Sequence, residues 1–264
     1  MSNSDIITTL DGQFWNKQEI IEKMRDDEFY YGYLGKYSLS SSSCTSLLQS
    51  PLKYERSLKG ESVYTDSFGM GNLVHYRILE PHKFNEMKFI NVKGKTSKIF
   101  KEAVEEYGAR NTFTIQEKYQ AEDLSDCFLN NSVCTSMLLD AKYEEPAIGE
   151  IEGLPFRGKA DVLGDGYILD IKTTGKDLKS FRYSANSWNY DVQCYIYTTL
   201  FDISYKDFIF AVIDKSNGSL GLFRCSKEFW ARGKEKTMDA IKIYRDYFVD
   251  KKKRVEEFFI QDVL

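Results

Sequence analysis

Residues 156–172 hold two apolar-rich stretches that meet at Gly164-Asp165-Gly166, with Asp161 in the first and Asp170 and Lys172 in the second. This pattern commits the segment to two antiparallel strands joined by a tight turn. A two-residue type I′ turn at Asp165-Gly166 pairs Gly164 with Tyr167 and sets Asp161 directly opposite Asp170. Alternation then places Asp161, Asp170 and Lys172 on one face, with Tyr167, Leu169 and Ile171 on the other. Directly opposed residues have Cβ atoms about 5 Å apart, and like charges at that distance repel. Flanked by Val162 and Ile168, the pair calls for a positive partner, and a hard divalent cation with oxygen ligands fits best. A solvated hairpin with both aspartates in water is the alternative, since Asp-x-Lys alone is a weak signal. A three-residue loop would make the aspartates diagonal neighbours, still close enough to share a cation.

The rest of the chain bounds what such a hairpin can serve. With 264 residues, 42% of them hydrophobic and including 18 Tyr and 18 Phe, it can bury a sizeable core and is not a disordered polymer. No run approaches the ~18 apolar residues of a membrane-spanning helix, and Met1–Leu10 lacks the pattern of a signal peptide. The five cysteines (Cys44, Cys127, Cys134, Cys194, Cys225) form no Cys-x-x-Cys pair, which argues against a zinc ribbon or a disulfide framework. A soluble protein of the reducing cytoplasm is expected, with no membrane partner. Lys+Arg total 36 and Asp+Glu 40, a net charge of -4. That excludes a generally basic nucleic-acid coat but not a nucleic-acid enzyme, whose metal ions and local cations supply the positive field.

Periodicity predicts a mostly helical opening over Asp5–Tyr37 and a helix capped by Ser43 that Pro51 stops. Further helices are expected over Gly69–Leu79, ended by Glu80-Pro81, and over Ile115–Leu139. The lysines of Lys93–Tyr107 read as a solvated face. From Glu145 the pattern changes to strands at Ala147–Ile151, Leu154–Leu163 and Tyr167–Thr173, followed by a helix at about Trp188–Leu200. Phe208–Asp214 and Leu220–Arg224 flank Asn217-Gly218, a strong hairpin signal. Trp230–Phe259 reads as a charged helix whose Lys251–Arg254 run is solvated. With no repeat or linker, a single α/β domain is expected over 1–264. It comprises a helical part at about 1–140, a catalytic sheet and helix at about 141–225, and a C-terminal helix at about 226–260.

Asp161 followed after a hairpin by Asp170-Ile171-Lys172 resembles the core of the PD-(D/E)XK nuclease superfamily, in particular the phage-type exonucleases related to RecE, lambda exonuclease and the RecB nuclease domain. Further features match in order. Ser41-x-Ser43 with Leu47-Leu48 and Ser50-Pro51-x-x-Tyr54 resembles that family's N-terminal helix signature. Gly71-x-x-x-His75 resembles its histidine-bearing helix, Glu145 stands one strand before Asp161 where the family has an extra acid, and Gln193-x-x-x-Tyr197 resembles the motif on the following helix. Together these span about Ser41–Tyr197. Two departures stand out: Ala160 precedes Asp161 where proline is common, and Ser50 precedes Pro51 where iron–sulfur relatives carry cysteine, so no iron–sulfur cluster is expected.

The resemblance implies an α/β, restriction-endonuclease-like fold: a central mixed sheet flanked by helices, with helical additions at both ends. It implies a Mg²⁺-dependent deoxyribonuclease, with Mn²⁺ as a substitute, in which Asp161, Asp170, His75 and the Ile171 carbonyl hold the metal. Glu145 would complete or orient that shell, and Lys172 would orient water or neutralise the phosphorane. Gln193 and Tyr197 lie one helical turn apart, able to contact phosphate or base, although boundary packing gives the same spacing. Ser41 and Ser43 are candidate DNA contacts by resemblance. Lys176, Lys179 and Arg182 after the catalytic strand form either a backbone grip or a solvated loop. His82 reads as an exposed loop residue. The implied partner is DNA, with double-stranded ends as substrate of a phage-derived exonuclease in a bacterial host. A homo-oligomer and a recombination or single-strand-annealing partner are further implications. A structure-specific or RNA-directed nuclease, or a non-catalytic DNA-binding subunit, remains open from sequence.

Overall fold

The structure, a computed structural model, describes residues 5–60 and 66–261, with 66–68 described by backbone alone. Residues 1–4, part of the stretch examined for a leader, lie outside the described residues. The opening is less helical than its pattern predicts. It contains a small hairpin of β1 (Ile6–Thr8) and β2 (Phe14–Asn16), α1 (Lys17–Lys23), a π-helical turn at Glu28–Tyr33 and α2 (Leu34–Tyr37). The hairpin follows from Asp11-Gly12, where Gly12 takes φ 82°, a turn that few other residues adopt without strain.

Next come α3 (Ser41–Gln49) and α4 (Pro51–Leu58). Ser40, not Ser43, caps α3, its hydroxyl accepting the Ser43 N–H at 3.2 Å. Pro51 opens α4 at its first turn, with Ser50 as cap, because a missing N–H costs nothing there. The chain continues through α5 (Asp66–Leu79), α6 (Pro81–Glu86) and β3 (Lys88–Ile90). Exposed His82 therefore sits on a short helix and not in a loop. Then follow α7 (Lys98–Tyr107), β4 (Thr112–Thr114), α8 (Ile115–Leu129) and α9 (Ser132–Ser136). The helix expected to reach Leu139 breaks because Asn131 starts a new one, accepting the N–H groups of Val133 and Cys134 at 3.1 Å.

The central sheet contains β5 (Lys142–Ile151), β6 (Leu154–Gly164), β7 (Tyr167–Thr174), β8 (Phe208–Asp214) and β9 (Leu220–Arg224), adjacent in that order. Only β7 and β8 run parallel. A parallel pair requires a crossover, supplied here by α10 (Phe181–Ser187) and α11 (Tyr190–Phe201). The β6–β7 register is the expected one, Gly164 opposite Tyr167. The turn type is not: φ is positive at Gly166 (79°) but not at Asp165, the pattern of a type II turn.

Alternation divides the core. Ile168, Phe208, Phe210 and Val212 join residues of α3, α11 and α12 (Lys227–Tyr244) on one face, while Leu169, Ile171, Ile209 and Ile213 join α5 and α8 on the other. Each fully buried large side chain contributes about 1.5–3 kcal/mol. The C-terminal helix ends earlier than expected. After Tyr244 come a π-helical turn at Arg245–Val249 and a left-handed Lys251 (φ 49°), so the exposed Lys251–Arg254 run is not helical.

A close backbone approach fixes α12 on α11. A Cβ added to Gly233 would lie 1.9 Å from the Asp191 carbonyl oxygen. Gly233→Ala is expected to cost about 1–3 kcal/mol through this overpacking, read as a lower urea midpoint. An unchanged midpoint would contradict the contact.

Candidate active site

The β6–β7 ladder stops at Val162 opposite Leu169, so the expected Asp161–Asp170 rung is not formed. Instead, the Asp161 carboxylate takes the place of a backbone acceptor, and Oδ2 receives the Ile171 N–H at 2.7 Å. On the other side, β5 pairs Tyr143 with Val162 and Glu145 with Ala160 but leaves Glu144 and Asp161 unpaired between them. Glu144 sits in the left-handed region, φ 49°. Side-chain alternation slips at the same point, since Ala160 packs on the α11 side and Val162 on the α5 side. Local irregularities of this kind re-aim side chains next to sites.

The result corrects the expectation of one shared face. Asp161 turns to α5, where His75 Nε2 lies 3.5 Å from its Oδ2. His75 Nε2 also lies 2.6 Å from the Ile171 carbonyl oxygen, to which the ring N–H donates. Asp170 and Lys172 do share a face, the α11 side. Gln193 Nε2 donates to Asp170 Oδ1 at 2.5 Å, and Lys172 Nζ is 2.6 Å from Oδ2. That approach is an ion pair outside hydrogen-bonding geometry, so the buried Oδ2 has no hydrogen-bond partner. Tyr190 lies under Lys172, its ring centroid 5.1 Å from Nζ.

One acid is corrected. Glu145 pairs with Arg25 at 3.1 Å, and it is Glu144 that clusters with His75 and Asp161, with ligating atoms within 4.8 Å of one another. The left-handed backbone at Glu144 reverses the alternation that pointed to Glu145. Tyr197 is corrected too. It is 8% exposed and packs on Gly158, where a Cβ would come within 2.9 Å of its ring. It is a core residue and offers no face to nucleic acid. Ser43 is engaged with Ser40 (hydroxyls 3.1 Å apart), and no hydrogen bond among the described residues joins Ser41 or Ser43 to the carboxylates. Lys176, Lys179 and Arg182 are exposed on the segment after β7. Glu144 was missed because two successive glutamates can each face the site, and only the backbone conformation decides between them.

Packing these acids together shifts their protonation. Burial and the neighbouring Asp161 push the Glu144 carboxyl up to about 8. Burial raises Asp170 to about 6, with Asp161 adding to the rise against the pull of Lys172. Burial disfavours the His75 imidazolium, but Asp161 and Glu144 outweigh it and raise its pKa. Burial likewise opposes the Lys172 ammonium, which Asp170 and Asp161 hold charged far above neutral pH. The site is a crowded acidic set with one fixed ammonium, and the close grouping of His75, Glu144 and Asp161 suits a bound cation.

Residues 40–255 match the family model described as a PDDEXK-like domain of unknown function, DUF3799. The chain belongs to this family. The solved structure of a candidate exonuclease from Eubacterium rectale is similar to this PDDEXK-like domain with a TM-score of 0.62 and 14% identity, covering 90% of this chain and 95% of that one. At that identity the likeness shows the fold. A second solved structure, SSO0001, overlaps 73% of the chain and 84% of its own at 16% identity, with a TM-score of only 0.31. Comparison with the curated proteins finds no match.

The raised acids tie stability to pH. Glu144 in the folded PDDEXK-like domain keeps a proton that the unfolded chain releases, since its pKa rises from 4.5 to about 8. Its contribution is therefore full below the unfolded value and lost as pH rises through about 8; Asp170 behaves alike between 3.8 and about 6. The chelator-treated protein is expected to melt at falling temperature from about pH 5 to about 8, and Glu144→Gln to flatten the upper part of that slope. A wild-type melting temperature constant over this range would contradict the burial of these acids.

Proposed function

We propose that the chain is a metal-dependent DNA nuclease that works from DNA ends, with one domain spanning its length. The observation that carries this reading is the grouping of Asp161, Asp170, Lys172 and His75 around the Ile171 peptide on a PDDEXK-like fold. The candidate exonuclease from Eubacterium rectale, of similar fold, supports exonucleolytic action. The donor set fits Mg²⁺, with Mn²⁺ as substitute: carboxylates, a backbone carbonyl and one imidazole, with ligating atoms of His75, Glu144 and Asp161 within 4.8 Å of one another. Asp161, Asp170, the Ile171 carbonyl and His75 would hold the ion, and Glu144 takes the role first assigned to Glu145. Such an ion supplies Lewis acidity to the scissile phosphate and lowers the pKa of attacking water.

The chain's own residues account for the rest of the chemistry. Lys172, charged and fixed on Asp170, sits where it can orient water or neutralise charge on the pentavalent phosphorus. Gln193 holds Asp170 by its other oxygen, so both carboxylate oxygens have set directions. To hold the ion, His75 would give up the Nε2 proton it donates to the Ile171 carbonyl and turn that nitrogen's lone pair to the side shared with Asp161. Exposed Lys176, Lys179 and Arg182 would grip the DNA backbone. A phage-derived role in recombination, in the cytoplasm of a bacterial host, follows from the sequence resemblance. So do a homo-oligomer and a strand-annealing partner.

Incubation with linear and circular duplex DNA, single-stranded DNA and RNA tests this reading. Linear DNA is expected to be degraded with Mg²⁺ or Mn²⁺, circular DNA spared, and EDTA to abolish cutting. Asp170→Asn and Lys172→Ala are each expected to slow cleavage by at least about a hundredfold without loss of folding. Glu144→Gln should slow it far more than Glu145→Gln. Near-wild-type turnover by Asp170→Asn or Lys172→Ala, or full activity after exhaustive chelation, would overturn the proposal.

A further inference from the structure

We infer that α10 and its C-cap carry two separate stacking residues for single-stranded DNA beside the carboxylate site, an inference that rests on the nuclease reading above. Between the catalytic strand β7 and α11, Tyr183 and Trp188 are 62% and 66% exposed. Neither rides on a loose loop. Phe181 anchors α10 at 3% exposure, its ring 4.8 Å from Phe223 and 6.0 Å from both Phe210 and Tyr190. Ser184 and Ala185 are buried beneath the helix. The Arg182 guanidinium lies 4.8 Å from the Tyr183 centroid and donates to its hydroxyl at 2.9 Å. The Tyr183 ring is thus held before any ligand arrives, which limits the entropy lost on binding.

The charge around these rings is positive, although the chain as a whole carries -4. Lys176, Lys179 and Arg182 are exposed on the same segment. Two further cations reach the C-terminal end of α10 from α12: Arg232 bonds the Asn186 side chain, and Lys236 Nζ the Asn186 carbonyl at 3.3 Å. Exposed Glu228 and Glu235 accompany Arg232 and Lys236 on α12, and two further carboxylates in this region are already engaged. Asp177 caps the Ser180 N–H at 3.1 Å. Asp191 is fully buried under Arg232 and Lys236, at 2.5 and 3.0 Å. Helix α10 also adjoins the chemistry, since Phe181 touches Tyr190 and Tyr190 underlies Lys172.

Exposed aromatic rings among cations match an unpaired strand. Duplex DNA hides the faces of its bases in the stack, whereas a single strand can lay them on tyrosine and tryptophan while lysine and arginine follow its phosphates. An apolar protein partner would not call for the surrounding cations. The two residues would hold the unpaired part of the substrate while the carboxylates act on the neighbouring phosphodiester.

Fluorescence anisotropy with a labelled oligothymidylate in EDTA tests this without cleavage. Wild type is expected to bind, and Tyr183→Ala/Trp188→Ala to bind at least about tenfold more weakly. Tyr183→Phe/Trp188→Phe should recover most of the affinity, and both double variants should keep the wild-type unfolding midpoint, since the rings are exposed. Equal affinity of wild type and the alanine double variant, or no binding by wild type, would overturn the stacking role. Cleavage by wild type in Mg²⁺ is read separately, so failure of the stacking role is distinguishable from failure of the nuclease reading.

Discussion

The peptide group of Ile171 is pinned from both sides. Its N–H is taken by the Asp161 carboxylate and its carbonyl by His75, while its side chain is fully buried against α5 and α8. Hydrogen bonds to a charged partner contribute about 1.5–3 kcal/mol, more than a neutral strand bond, so the sheet loses little where β6 and β7 part. That parting leaves Asp161 free to face α5 and Asp170 free to face α11. The two acids face opposite layers instead of standing side by side on one surface.

The parallel β7–β8 pair decides what surrounds Asp170. Because those strands need a crossover, α11 must lie across the sheet, and Gln193 arrives over Asp170 as a result. On the opposite layer α5 comes close at Gly71, where an added Cβ would sit 3.6 Å from Thr173 Oγ1. The next turn of α5 then carries His75 to Ile171. His75 from α5, and Gln193 and Tyr190 from α11, converge on three successive residues of one strand.

Much of this was legible in the sequence. The hairpin register follows from turn spacing, which is short-range geometry, whereas the grouping of both aspartates with Lys172, His75 and Gln193 was expected from the family resemblance. What failed depends on a single backbone state or on long-range packing. Glu144 displaces Glu145 through one left-handed residue, which no two-residue periodicity reports. Tyr197 looked like a polar-face residue, yet it packs into the sheet against Gly158 and Phe208. The early hairpin was hidden in a helical-looking stretch by the strength of its apolar periodicity, although Asp11-Gly12 announced a turn.

The span of these contacts along the chain sets when the site comes into being. Asp161 and Ile171 are 10 residues apart, Asp170 and Gln193 are 23, and His75 and Ile171 are 96. Short loops close readily, and distant pairings come at greater entropic cost. During synthesis His75 leaves the ribosome long before the strands it serves, and Gln193 and β8 follow after both aspartates. Until β8 is in place, β7 has no parallel neighbour and Asp170 no cover. The grouping of these side chains is therefore complete only once His75, both aspartates and Gln193 are all present in the folded sheet.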